Sequence, residues 1–327
     1  MVRFLVSTLW IASVLLANGE EKRFAYEMPL MGTMWRVVLY APGDQEAKAK
    51  AAAEAAFRRV SALNLVMSDY RPDSEVRQLG VDPEKVSDDL CDVLTKSFRL
   101  SEESDGAFDV TTGALTRIWR RAFRRVEVPS ASVLQEALRH TGWKGVKIDR
   151  SRKWVSLASE QMRIDLGGIG KGFALDEAME VLRKDHGFAR AFIDAGGDVL
   201  AGDPPPGEGA WTVAVRGNGQ EFFLAVENEA VATSGDLHQG KTIDGVRYSH
   251  LIDPRDGNAL RNGAAATVVA RDAWLADGLA SAACILVPSE IEHLIEKKKA
   301  AARVTRRLLS GDIRIQDVGG LSPTTPR

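Results

Sequence analysis

Four glycines fall within the eight residues Asp165-Leu-Gly-Gly-Ile-Gly-Lys-Gly172, between an extended segment and a helical pattern. Glycine lets a backbone approach its neighbours closely, and the start of the following helix offers free N–H groups to anionic oxygens. Lys171 adds a positive charge there. A Walker P-loop is excluded, because Gly172 stands where that motif needs Ser or Thr. On the local string alone, a turn built for packing fits as well as an anion site.

The elements around this turn come in mixed order. Alternation and turn residues predict strands over 34–40, 145–149, 153–157, 162–166, 189–194, 211–216, 221–226, 229–233 and 265–270. Apolar spacings of three and four predict a helix over 44–67, with Ala52, Ala56, Val60, Leu63 and Met67 on one face. Further helices are predicted over 88–102, 173–184, 272–286 and 289–308. The Arg-rich stretch 117–125 reads as amphipathic and is assigned no ligand, and 203–209 reads as a surface loop. The tail from Ser310 is expected to be partly mobile. Without regular βαβ alternation, an α+β domain fits better than a doubly wound sheet.

The composition is that of an ordinary globular chain, 45% hydrophobic and 27% charged. With 43 basic and 45 acidic residues the net charge is -2, which gives no reason to expect a nucleic-acid partner. The first 19 residues read as a signal peptide. Arg3 precedes an apolar run from Phe4 to Ala17, and Ala17-Asn18-Gly19 offers small residues for cleavage. The run is shorter than the roughly 20 residues that span a bilayer. No Cys lies near the cleavage site to carry a lipid, so the expectation is a soluble, exported, periplasmic protein. A catalytic domain is expected over 28–310, with a tail over 311–327. Cys91 and Cys284 sit in apolar helical patterns and read as buried free thiols.

Two other strings can carry chemistry. In the helix Asp272 to Cys284, Asp277 and Ser281 are four apart and share a face among small and apolar residues. A buried carboxylate needs a partner or a cation, and a carboxylate with a hydroxyl suits Mg²⁺ or Ca²⁺ better than zinc. The alternative is that Ser281 permits close helix packing while Asp277 faces solvent. The segment Tyr248-Ser-His250-Leu-Ile-Asp253-Pro-Arg-Asp-Gly257 places a His beside a carboxylate, compatible with a general base or a surface pair. Thr233-Ser-Gly-Asp236 follows a strand and could line a site or make a turn.

Taken together these strings resemble the FAD:protein FMN transferases, the ApbE-like family, from Met31 to about Leu286. The matching pieces occur in the family's order. They are Met31-Gly-Thr33, Met67-Ser-Asp-Tyr70-Arg-Pro-Asp-Ser-Glu75 and Ala107-Phe-Asp-Val-Thr111. Asp165 to Gly172, Asp194-Ala-Gly-Gly-Asp198 and Ala232-Thr-Ser-Gly-Asp236 follow. The last are Tyr248 to Pro254 and Ala276-Asp-Gly-Leu-Ala-Ser281. Each piece alone is weak; eight in order are specific.

The resemblance implies an α+β, T-fold-like architecture of mixed sheets packed with helices in one large catalytic domain. It implies that FAD is the substrate, with Met31, Tyr70, Ala107, Phe108, Asp109, Asp165, Lys171 and Ile252 lining its site. It implies Mg²⁺ held by the Gly168 carbonyl, Asp277 and Ser281, and His250 near the pyrophosphate. Asp277 and His250 are thereby the catalytic candidates. The implied partner is a flavoprotein carrying a Thr or Ser acceptor, such as a subunit of a membrane redox complex. An FAD pyrophosphatase and a non-enzymatic flavin carrier are the competing readings. Two departures stand out: Ser281 replaces the family's usual Thr, losing the methyl that stiffens the rotamer, and Gly170 replaces an Ala.

Overall fold

The computed structural model describes residues 21–217, 220–235, 240–308 and 310–325. The expected signal peptide lies outside the described residues. The chain opens with the hairpin β1 (Glu21–Leu30) and β2 (Thr33–Pro42), followed by α1 (Glu46–Met67). Next come α2 (Glu75–Gln78), β3 (Glu84–Lys85), α3 (Asp88–Glu103), α4 (Gly113–Arg125) and α5 (Ala131–Leu138). The short strands β4 (Val146–Asp149) and β5 (Trp154–Leu157) lead to α6 (Gly170–Glu180). The second half holds β6 (Ala191–Ala195), β7 (Asp198–Ala201), β8 (Trp211–Gly217), β9 (Gln220–Val226), β10 (Ala230–Gly235), β11 (Lys241–Ile243) and β12 (Val246–Tyr248). It ends with β13 (Ala265–Ala270), α7 (Ala273–Ile285), α8 (Pro288–Lys297), β14 (Ala301–Arg307) and β15 (Ile313–Val318).

Eight strands form one sheet in the order β1-β2-β6-β7-β10-β13-β14-β15, with antiparallel neighbours throughout. The period of two along β2 sets its two faces. Trp35, Val37 and Leu39 enter the main core with residues of α1, α6 and α7, whereas Val38 packs with Trp211, Val213 and Leu224 of the β8–β9 hairpin. The sheet is therefore covered by helices on one side and by a hairpin on the other, an α+β arrangement as expected. A third apolar cluster joins α4 and α5 to Tyr248, Ile252 and Ala259.

Local signals explain several boundaries. The Ser87 hydroxyl accepts from Leu90 N at 3.2 Å and caps α3. At α8, Glu290 accepts from Val287 N at 3.0 Å, and Pro288 fills the first turn, where its missing N–H costs nothing. Helix α7 is buried nearly all round, and its small residues let it sit between α6 and the sheet.

Three expectations need correction. Residues 162–166 form no strand; Arg163 makes a single parallel bridge to Thr112, because the facing chain turns straight into α4. The helix expected over 289–308 ends at Lys297. Lys299 adopts φ 52°, and the Ala-rich run after it becomes strand β14, paired on both edges. Pairing in the sheet outweighs alanine's helical preference there. The tail from Ser310, expected to be partly mobile, supplies β15. Residues 21–30 supply β1, with Phe24, Tyr26 and Leu30 against the core.

Candidate active site

The glycine turn brings α6 against α7. A Cβ on Gly172 would lie 2.2 Å from the Ala273 carbonyl oxygen, so only glycine permits this approach. The Gly172 N–H then donates to Asp277 Oδ2 at 3.0 Å. Asp277 is buried, 4% exposed, and the solvent-facing alternative weighed from sequence does not hold. Burial pushes its carboxyl up, opposed by the charge of Lys171 and by the Gly172 N–H.

Ser281 stands one turn along the same helix. Its hydroxyl lies 3.1 Å from that of Ser234 on β10. A Cβ on Gly168 would come within 2.9 Å of Ser281 Oγ and 3.5 Å of the Phe108 ring. The structure therefore gathers Gly168, Ser281, Ser234 and buried Phe108 at one place, next to the turn that Asp277 caps. Among the described residues no three His, Cys, Asp or Glu side chains converge to hold a metal. The buried Asp277 carboxylate and the Ser281 and Ser234 hydroxyls instead offer hard oxygen donors, which fit a cation such as Mg²⁺ and not a soft metal.

Lys171, in the first turn of α6, pairs with Asp198 at the start of β7. Asp198 is itself buried and accepts from Thr233 N at 3.0 Å. The Asp194–Asp198 turn also receives the β1–β2 hairpin: a Cβ on Gly196 would sit 2.1 Å from Thr33 Oγ1. Met31 occupies the hairpin tip at φ 47°, partly buried against the core. Three of the strings noted in the sequence thus meet around Lys171.

A second group forms around Arg120 of α4. Its guanidinium binds Asp69 at 2.5 Å, lies 3.6 Å from Asp165 and covers the Tyr70 ring, 4.5 Å from its centroid. Burial, followed by the charge of Asp69, pushes the Asp165 carboxyl up, while Arg120 opposes the shift. Tyr70 is 75% exposed, an aromatic face open to a planar ligand. Sequence reasoning passed over Arg120, because nothing local signals that its partner lies 51 residues earlier.

Other expected residues are placed differently. Asp109 spends both carboxylate oxygens on the protein itself. Oδ1 accepts from Thr111 N and Oγ1 at 2.7 Å, and Oδ2 from Trp143 N at 2.9 Å. It fixes the turn that carries buried Ala107 and Phe108. Ile252 is buried in the cluster with Trp119 and Tyr248. His250 lies partly buried in a loop that folds back on itself, with Ser249 N bonded to Leu260 O and Asp253 N to Asn258 O. Trp119 Nε1 anchors that loop through the Gly257 carbonyl at 2.9 Å. Asp253, weighed as a partner for His250, is taken up by Arg255 at 2.8 Å. Asp236 lies outside the described residues. Cys91 and Cys284 are buried and form no disulfide.

Comparison with known proteins agrees with this arrangement. A model described as the ApbE family matches residues 31–304. The FAD:protein FMN transferase of Treponema pallidum is 32% identical, covering 70% of this chain and 68% of that protein. That of Klebsiella pneumoniae is 27% identical over 83% of this chain and 81% of its own. Among solved structures, the flavin transferase ApbE from Vibrio cholerae superposes with a TM-score of 0.81 at 25% identity, over 91% of this chain and 97% of that one. The ApbE protein of Thermotoga maritima gives 0.77 at 29% identity, over 90% and 96%. Because the matched span of 31–304 takes in most of the chain, including the glycine turn and the Asp277–Ser281 helix, the chain belongs to the ApbE family.

Proposed function

We propose that the protein is a magnesium-dependent FAD:protein FMN transferase that joins FMN to a Thr or Ser hydroxyl of a flavoprotein and releases AMP. The observation that carries this reading is the meeting of Asp277 and Gly172 N–H at the start of α6, beside Lys171 and Ser281. The relatives named above are FAD:protein FMN transferases, which supports FAD as the substrate.

In the reaction the acceptor oxygen attacks the FMN phosphorus, and the bond from that phosphorus to the AMP oxygen breaks. The acceptor proton goes to a base, and the electron pair of the broken P–O bond leaves on the AMP oxygen. Gly168, Asp277 and Ser281 would hold Mg²⁺, which when bound supplies charge stabilisation at the pyrophosphate oxygens. Lys171, in the first turn of α6 and steadied by Asp198, supplies positive charge for the same anionic oxygens. Tyr70, with the Arg120 guanidinium over one side of its ring, offers a stacking surface for one ring system of FAD. His250 is the residue of the loop over 249–260 whose side chain can serve as the base for the acceptor proton.

The apolar run at 4–17 supports export. Amino-terminal sequencing of exported material tests this; the expected start is Asn18 or Glu20, and an intact Met1 in a cytoplasmic fraction contradicts it. For the chemistry, chromatography of FAD, FMN and AMP after incubation with an acceptor flavoprotein, with and without Mg²⁺, is the test. Metal-dependent loss of FAD with release of AMP is expected. FAD that stays bound and intact would leave a flavin carrier.

A further inference from the structure

The outer face of α4 is not explained by the site above. It borders a cleft of about 310 Å³ whose wall carries six arginines: Arg77, Arg117, Arg120, Arg121, Arg124 and Arg163. Asp69 is the carboxylate on that wall, and it is already bound to Arg120. Arg163 turns its guanidinium to the Glu160 and Met162 carbonyls. Among the described residues no carboxylate pairs with Arg77, Arg117, Arg121 or Arg124. A protein of net charge -2 thus concentrates unpaired cations in one concave place. Like charges held together destabilise the compact state, and a bound anion relieves that repulsion.

The shape argues for an extended chain. Arg117, Arg121 and Arg124 are four and three apart, so they form one row along α4, about 10 Å long at 1.5 Å per residue. Alternate residues of an extended peptide point the same way about 7 Å apart, so two carboxylates of such a segment span most of the row. A single phosphate would engage one or two of these groups. A flat lipid surface would not enter a concave wall. Tyr70, on the same wall, ties the cleft to the nucleotide end of the site.

We propose that this cleft docks an acidic, extended segment of the acceptor protein, flanking the hydroxyl that receives FMN. The inference rests on the transferase reading and adds the chemistry of the acceptor to it. Guanidiniums bind carboxylates through paired N–H donors, which fixes the register of the segment as well as its affinity.

The test uses the whole protein and a fluorescein-labelled Asp-Ser repeat peptide, with an Asn-Ser peptide as control. Two variants are compared: Arg121→Glu with Arg124→Glu, and the milder Arg117→Gln with Arg121→Gln. Thermal melting checks that both are folded, and FAD is titrated separately by flavin fluorescence. The expected result is binding of the acidic peptide alone, weakened by salt and by about tenfold or more on charge reversal, with FAD affinity unchanged. The neutral variant should lose less. Equal binding of both peptides, or of acidic peptide by wild type and reversal variant, overturns the cleft alone. So does an equal fall in FAD and peptide affinity, which would give the arginines to the nucleotide. Displacement of the peptide by inorganic phosphate at equal concentration would make it a phosphate site. Phosphatidylglycerol vesicles that bind where the peptide does not would make it a membrane surface. A wild-type protein that takes the peptide but no FAD would overturn the transferase reading and, with it, the peptide's role as acceptor.

Discussion

The backbone N–H of Gly172 donates to Asp277 Oδ2 at 3.0 Å, so the first turn of α6 and the middle of α7 meet at a single buried carboxylate. The contact depends on the absence of a side chain at position 172. The fold and the site are therefore coupled at this point, and a change of one atom group there should disturb both.

Gly172→Ala puts a methyl 2.2 Å from the Ala273 carbonyl oxygen and 2.8 Å from Trp274 Cα, both backbone atoms. That stretch cannot easily yield, because Asp176 accepts from Ala273 N at 2.8 Å and Trp274 N at 2.9 Å. The variant should lose about 3 kcal/mol or more of stability, read as a lower urea midpoint. A midpoint within experimental scatter of wild type would show that the helices can part freely.

Asp277→Asn keeps an acceptor for Gly172 N–H but removes the charge. It should remain folded and lose metal-dependent FAD turnover. Ser281→Ala should be milder, since water can replace one neutral ligand, and Ser281→Thr should be tolerated. Turnover of the Asn variant at the wild-type rate in saturating Mg²⁺ would remove Asp277 from the site.

Asp176 makes stability depend on pH. Burial, against the opposing N–H groups of Trp274 and Ala273, pushes its carboxyl from 3.8 up to about 7. The folded state therefore holds the proton more tightly than the unfolded one. Its contribution is fully present below about pH 4 and is lost as pH rises toward 7, by up to about 4 kcal/mol. Asp176→Asn should flatten that part of the profile. Denaturation midpoints at acid and neutral pH decide the matter, and identical profiles for variant and wild type would contradict it.

His250→Asn should lower the transfer rate by about 10²–10⁴-fold while FAD affinity holds, because proton removal is needed in the transition state and not for binding. Lys171→Ala should weaken binding as well, since a charge facing phosphate acts in both states. A normal rate for His250→Asn at saturating FAD would pass the proton-accepting role to a carboxylate.

Much of this was legible in the sequence where a local pattern governs. The face of α1, the glycine turn before α6, and the i, i+4 pair on α7 follow from spacing alone. Strand β14 was not legible: Ala300-Ala-Ala-Arg-Val carries helical residues, and its partners β13 and β15 decide its state. Arg120 was hidden for a similar reason. Its meaning comes from Asp69, Tyr70 and Asp165, which reach it only through the fold. Asp109 adds what its motif does not signal: Oδ1 holds its own turn through Thr111, and Oδ2 accepts from Trp143 N, 34 residues on.

The central claim is covalent transfer of FMN to another protein. Membranes from a strain lacking this gene would be incubated with the purified protein, FAD and Mg²⁺, then separated on a denaturing gel. The account predicts a flavin-fluorescent band that appears only with all three additions, and whose tryptic peptide carries FMN on Thr or Ser by mass spectrometry. Free FMN and AMP with no flavin on any protein would contradict it and identify a pyrophosphatase.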